Sequence, residues 1–174
     1  MSIRVVFCSL VLALTCCRVW AVGESVCPGW NAADQAGKPN AYTAYASPYT
    51  YHWSDENKAQ HRQVFALSLS RQLPAERFCG FSVFRNSFGQ PSGYVFTGWN
   101  WPRPLDSMPH VYASVSAGIM YGYVGEFKDK VPLNFGGFSP VVVPSVGYRL
   151  TPRLGLEITI LGTAAIMFGT SWRF

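Results

Sequence analysis

The sequence predicts an all-β protein: an eight-stranded antiparallel transmembrane β-barrel, with room for a short N-terminal helix. Three observations carry this. Segments that alternate apolar with small or polar residues recur between Gly and Pro turn signals. Of the 174 residues 49% are hydrophobic, 16% aromatic and only 13% charged, below the charge density of an ordinary soluble surface. The chain ends inside one of these alternating segments, on Trp172-Arg173-Phe174.

The elements divide the chain into residues 1–21, 22–46 and 47–174. The first is a signal peptide: Arg4 supplies a positive start, "VVFCSLVLALTCC" an apolar core, and "VWA" a cleavage site ending at Ala21. Arg18 cuts the apolar run short, which argues against a retained membrane helix. Cleavage removes Arg4 and Arg18 and lowers the formal net charge from +5 to +3. It leaves Cys27 and Cys79 in a compartment where disulfides form, with their pairing open. The scattered basic residues and secreted context exclude nucleic acid as a partner. Residues 22–46 read as a polar periplasmic leader without a period, a loop or a surface helix closing one end of the barrel.

Eight strands follow, at about 47–54, 63–71, 77–86, 93–101, 110–122, 139–150, 153–161 and 164–174. Most reach the roughly 9–11 residues that cross a bilayer obliquely. Strand side chains alternate faces. In "AAIMFGTSWRF", Ile166, Phe168, Thr170, Trp172 and Phe174 share one face, and Ala165, Met167, Gly169, Ser171 and Arg173 the other. "RLGLEITI" sets Leu154, Leu156, Ile158 and Ile160 against Arg153, Gly155, Glu157 and Thr159. "VYASVSAGIMY" sets Val111, Ala113, Val115, Ala117, Ile119 and Tyr121 against Tyr112, Ser114, Ser116, Gly118 and Met120. A soluble β-sandwich also alternates, but its polar faces carry more Lys, Glu and Thr; these carry Gly, Ser and Ala. The terminal aromatic is typical of bacterial outer-membrane barrels. In lipid, a closed barrel leaves no backbone group unpaired.

The connections give the orientation. "QLPAE", "PRPLDSMP" and "LTPR" follow strands 2, 4 and 6; "SDENKAQHR", "NSFGQPS" and "YVGEFKDKVPLNFGG" follow strands 1, 3 and 5. Outer-membrane barrels keep short turns in the periplasm and longer loops outside. His52, at the outer end of strand 1, and Asn86 with Ser87, at the outer end of strand 3, therefore share one rim.

That rim holds usable chemistry. An imidazole serves as a general base near neutral pH, and a serine hydroxyl or Asn amide stabilises developing charge. Such groups beside lipid suit acyl transfer, and equally suit ordinary polar residues at the headgroup boundary. "YHWS" places His52 and Ser54 on one strand face, a competing dyad suited to lipid ester hydrolysis. His61 and His110 fall in connections, as do the solvated acids Asp55, Glu126 and Asp129. No metal-ligand spacing appears, and neither metal nor cofactor is expected.

From residue 49 to 174 the chain resembles the lipid A palmitoyltransferases, the PagP family of outer-membrane enzymes. The resemblance rests on "TYHW" with His52, "FRNS" with Asn86 and Ser87, and the late segment "PVVVPSVGYRL". It implies an eight-stranded barrel with an N-terminal amphipathic helix, moving a palmitoyl chain from phospholipid to lipid A. His52 and Ser87 match catalytic positions of that family, and Asn86 stands where the family has Asp. Asn cannot be an ionised partner for His52, though it still accepts a hydrogen bond and can orient the ring. A non-catalytic lipid-binding or structural barrel is the alternative. Three further expectations attach: a monomer that conducts little, with an interior lined by small residues such as Gly118 and Gly169; outer-membrane phospholipid and lipid A as partners; and a lateral lipid path where Pro132, Pro140 and Pro144 weaken pairing around strand 6.

Overall fold

A computed structural model describes Cys27 and residues 40–53, 62–163 and 165–174. The expected signal peptide and residues 22–26 and 28–39 of the 22–46 leader lie outside the described residues, as do Ser54, Asp55 and His61. Eight strands form one closed antiparallel barrel: β1 Tyr42–His52, β2 Ala66–Gln72, β3 Arg77–Arg85, β4 Pro91–Trp101, β5 Val111–Tyr121, β6 Phe138–Arg149, β7 Leu154–Leu161 and β8 Ala165–Arg173. Each strand pairs with the next, and β8 closes on β1 from Thr43–Arg173 to His52–Ala165. The first strand starts at Tyr42, five residues earlier than the sequence reading. The small residues of "YTAYAS" are held between β2 on one side and β8 on the other.

The alternating faces sort as their chemistry demands. Leu67, Val95, Ile119, Val142, Ile158 and Phe168 are exposed on the outer wall. Aromatics ring both ends of it. Tyr49, Tyr51, Trp53, Tyr121 and Phe138 lie towards one end, and Tyr42, Trp99, Trp101, Tyr148, Trp172 and Phe174 towards the other. An apolar band between two aromatic girdles matches a bilayer, not water. Inside, Phe78, Tyr94 and Phe96 cluster against Phe84, Met120, Val141 and Val143. Below them, near the end that holds the C-terminus, the Tyr112 hydroxyl donates to Glu157 Oε2 at 2.9 Å and lies 3.1 Å from Ser171 Oγ.

The inward glycines do not line open space, contrary to the expectation for Gly118 and Gly169. A Cβ on Gly118 would strike the Val95 carbonyl, and one on Gly169 would meet the Tyr45 ring at 2.6 Å. Gly147 is covered in the same way by Tyr112. Glycine admits a bulky tyrosine from the neighbouring strand, Tyr45 of β1 over β8 and Tyr112 of β5 over β6, so these rings cover the inward glycines. Cys79 faces outward on β3 and is joined to Cys27, with a Cα–Cα distance of 5.7 Å. The leader is thus tied at residue 27 to the outer wall rather than to the barrel's open end.

Two details decide the site. The β1–β8 register slips by one residue between Ala46 and Tyr49, a β-bulge at Ser47-Pro48. Below it Tyr45 and Ser47 turn inward; above it Thr50 and His52 do, so the bulge reverses the phase of the strand. A regular strand in phase with Tyr45 would have aimed His52 at lipid.

The second detail is incomplete pairing at the outer end. The β6–β7 ladder stops at Ser145–Thr159, leaving 138–144 of β6 without a β7 partner. The β1–β2 ladder stops at Ser47–Ala66. Meanwhile β5 pairs with β6 straight through Pro140 and Pro144. Arg149 donates its N–H to His110 on the β5 side, and Leu150 to Leu154 on the β7 side. Even-numbered N–H groups of β6 therefore aim at β7, and the prolines remove donors on the side already open. The Val142 amide is expected to exchange with solvent roughly tenfold or more faster than those of Val141 and Val143, which face β5. Hydrogen exchange read residue by residue checks this, and equal protection of the three would close the gap.

Candidate functional site

The β3–β4 turn is built around Asn86, which is only 1% exposed. Its Oδ1 accepts from the N–H groups of Phe88 and Gln90, each at 3.0 Å. Its Nδ2 donates to the Gly122 carbonyl at 2.9 Å and to Gln90 Oε1 at 3.2 Å. That fills both acceptor and both donor sites of the amide. Gly89 N–H closes on the Asn86 carbonyl at 2.8 Å, and Gly89 takes φ +82°, a conformation glycine adopts without strain. Gln90 in turn donates to the Val124 carbonyl at 3.1 Å, and Phe88 stacks on Phe127 of the 3₁₀ helix Gly125–Lys130 at 4.3 Å. From the other side, Arg62 N–H donates to the Ser87 carbonyl at 2.7 Å.

Ser87 is therefore held by backbone and side-chain bonds on three sides. His52 Nε2 lies 2.8 Å from its Oγ, a hydrogen-bond distance across a separation of 35 residues. The Tyr123 side chain, just beyond β5, stands beside Ser87. Burial pushes the Tyr123 hydroxyl above its ordinary pKa, partly offset by the neighbouring Ser87 side chain. The phenol stays neutral and can donate to or accept from Ser87. A histidine, a serine and a neutral phenol thus meet at one point.

That point opens on an interior cavity of about 610 Å³. His52, Asn86, Ser87 and Tyr123 stand at its outer end; Phe78, Phe84, Phe96, Val143 and Met167 form its walls; Tyr112, Glu157, Ser171 and Arg173 form its floor. The volume is that of a small-molecule site, and its walls are apolar enough for a hydrocarbon chain.

Of the three residues singled out in the sequence, the structure brings His52 and Ser87 together directly. Asn86 enters differently from the expected orienting of His52: its four bonds go to the turn and to Gly122, so it positions Ser87. Tyr123 and Gln90 were missed, because nothing in their local sequence separates them from other loop residues. His110 lies beside Tyr148, ring centres 5.6 Å apart and tilted, at the opposite end. Replacing Asn86 by Ala would strand two N–H groups and a carbonyl, at a cost of about 2–4 kcal/mol. Asn86→Asp would keep the two acceptor bonds but set an oxygen against the Gly122 carbonyl, costing about 1–3 kcal/mol. Urea unfolding in micelles measures both; an Asn86→Asp barrel as stable as the parent would show that the amide donors hold nothing.

No family model and no curated protein matches the chain, so the resemblance to lipid A palmitoyltransferases stands on its motif residues alone. Solved structures do match. A de novo designed transmembrane β-barrel aligns at 15% identity and TM-score 0.54, covering 79% of this chain and 98% of the design. A second designed barrel, solved by solution NMR, aligns at 14% identity and TM-score 0.50, covering 80% and 98%. Ail, the attachment invasion locus protein of Yersinia pestis, aligns at 14% identity and TM-score 0.40, covering 76% and 95%. At these identities the likeness to the designs is one of fold. Together with the apolar outer wall and its two girdles, it makes this chain an eight-stranded barrel of the outer-membrane type.

Proposed function

We propose that this barrel resides in the bacterial outer membrane and transfers an acyl chain from a phospholipid to lipid A or another outer-leaflet hydroxyl. The observation that carries the reading is the 2.8 Å contact of His52 Nε2 with Ser87 Oγ at the mouth of an apolar interior cavity. The donor's acyl chain enters the cavity, and the openings above the β1–β2 and β6–β7 ladders give it a lateral route from the bilayer. With the chain seated, its ester carbonyl lies at the rim. His52 takes the proton of the acceptor hydroxyl, whose oxygen attacks the carbonyl, while Ser87 donates to the oxyanion. Collapse expels the lysophospholipid oxygen, which recovers the proton from His52. Tyr123 and Asn86 position Ser87.

Mass spectrometry of lipid A and phospholipids, from cells with and without the protein, tests this. An added acyl chain matched by accumulating lysophospholipid is the expected result. Loss of an acyl chain that depends on Ser54 would transfer the reading to hydrolysis. A second reading, a non-catalytic lipid-binding barrel, draws on Asn86: where the resemblance calls for a carboxylate, an amide is spent on holding the turn. No change in any lipid, in cells that hold folded protein, would favour it.

A further inference from the structure

At the end remote from His52, Arg149 closes β6 and Arg173 closes β8, on either side of β7. Both follow the inward phase of their strands, and Arg173 lines the cavity floor. Their guanidinium carbons lie 5.5 and 5.6 Å from the centre of one ring, that of Tyr112. Arg103, from the β4–β5 connection, adds a third positive charge acting on Arg149; Glu76, from the β2–β3 turn, adds a negative one. Among the described residues no carboxylate forms an ion pair with Arg149 or Arg173. The interior acid Glu157 acts on Arg173 by charge and is hydrogen bonded to the Tyr112 hydroxyl. Arg149 Nε is buried and has no hydrogen-bond partner.

Like charges gathered at a partly dehydrated mouth repel one another, and a buried N–H without an acceptor is costly. One oxyanion relieves both. Guanidinium donors arranged in a plane match the oxygens of a phosphate. We propose that the periplasmic mouth of the barrel is a phosphate-binding site, made by Arg149 and Arg173 with Arg103 at its edge. The phosphate belongs to the headgroup of an inner-leaflet phospholipid or to a free phosphoanion. The site lies at the opposite end from the His52–Ser87 pair, so the two stand or fall separately.

The test uses the mature chain, leader included, in maltoside micelles free of phosphate. The arginine side-chain Nε–H signals are followed by NMR as inorganic phosphate, glycerol phosphate or phosphatidylglycerol is added, with chloride at matched ionic strength as control. The Arg149 and Arg173 signals are expected to shift saturably, with binding at least about tenfold weaker in Arg149→Gln/Arg173→Gln and unaltered in Arg153→Gln. Saturation by phosphatidylglycerol alone identifies a lipid headgroup; saturation by the free phosphates identifies a soluble anion. Should the double variant lose its heat-modifiable migration on gels, Arg149→Lys keeps the charge and removes the fork, and is expected to weaken binding about threefold or more. An equal response to chloride, or unchanged binding in these variants, overturns the site.

Discussion

Cells carrying His52→Ala are expected to lose acylation of lipid A roughly 10²–10⁴-fold, the usual contribution of a positioned general base. Ser87→Ala is expected to lose roughly 10²–10³-fold, as for removal of one oxyanion donor. Both variants should still migrate as folded, heat-modifiable barrels, because His52 and Ser87 are half-buried rim residues outside the barrel's buried clusters. The chemistry behind the numbers is geometric. The bulge at Ser47-Pro48 turns His52 inward, and the Asn86 turn brings Ser87 to 2.8 Å from it. Initial rates with a labelled phospholipid donor measure the effect. Acylation at parental rates in His52→Ala would remove His52 from the mechanism, and with it the transferase.

The second large effect concerns the outer wall. Ile158 lies mid-strand on β7 and faces outward, 43% exposed. An arginine there costs little if water is outside. If lipid is outside, Ile158→Arg should cost about 2–4 kcal/mol at the bilayer midplane. The same change at Tyr121, in the outer aromatic girdle, should cost about 0–1 kcal/mol, because the head reaches the interface. Reversible urea unfolding in phospholipid vesicles compares the two. Equal costs would mean that the wall carries no depth-dependent apolar band and would contradict a membrane-spanning barrel.

Strand count, closure and the lipid-facing stripes were legible because period-two alternation is local. Ile166, Phe168, Thr170, Trp172 and Phe174 share a face in any strand that contains them, and one continuous apolar wall leaves little choice but a barrel in lipid. The rim was legible for a related reason. Once the connections alternate between ends, the outer ends of strands 1 and 3 must meet. The start of β1 was not legible: Tyr42–Ala46 gains its order from two neighbours, one of them at the far end of the chain. Nor was the covering of the inward glycines, since Gly169 looks like free space until Tyr45 reaches it from β1.

By itself, then, the sequence determined the barrel, its wall and the end at which His52, Asn86 and Ser87 gather. Tertiary structure alone decided which way His52 points, since the residues before and after Pro48 alternate out of phase. Only the register against β8 shows that one extra residue absorbs the slip. It also decided what Asn86 does. Hydrogen-bonding capacity belongs to the residue, but its partners depend on where Gly122 arrives, 36 residues later, from another strand. A side chain's chemistry is local, whereas its direction and its partners are set by the strands that close around it.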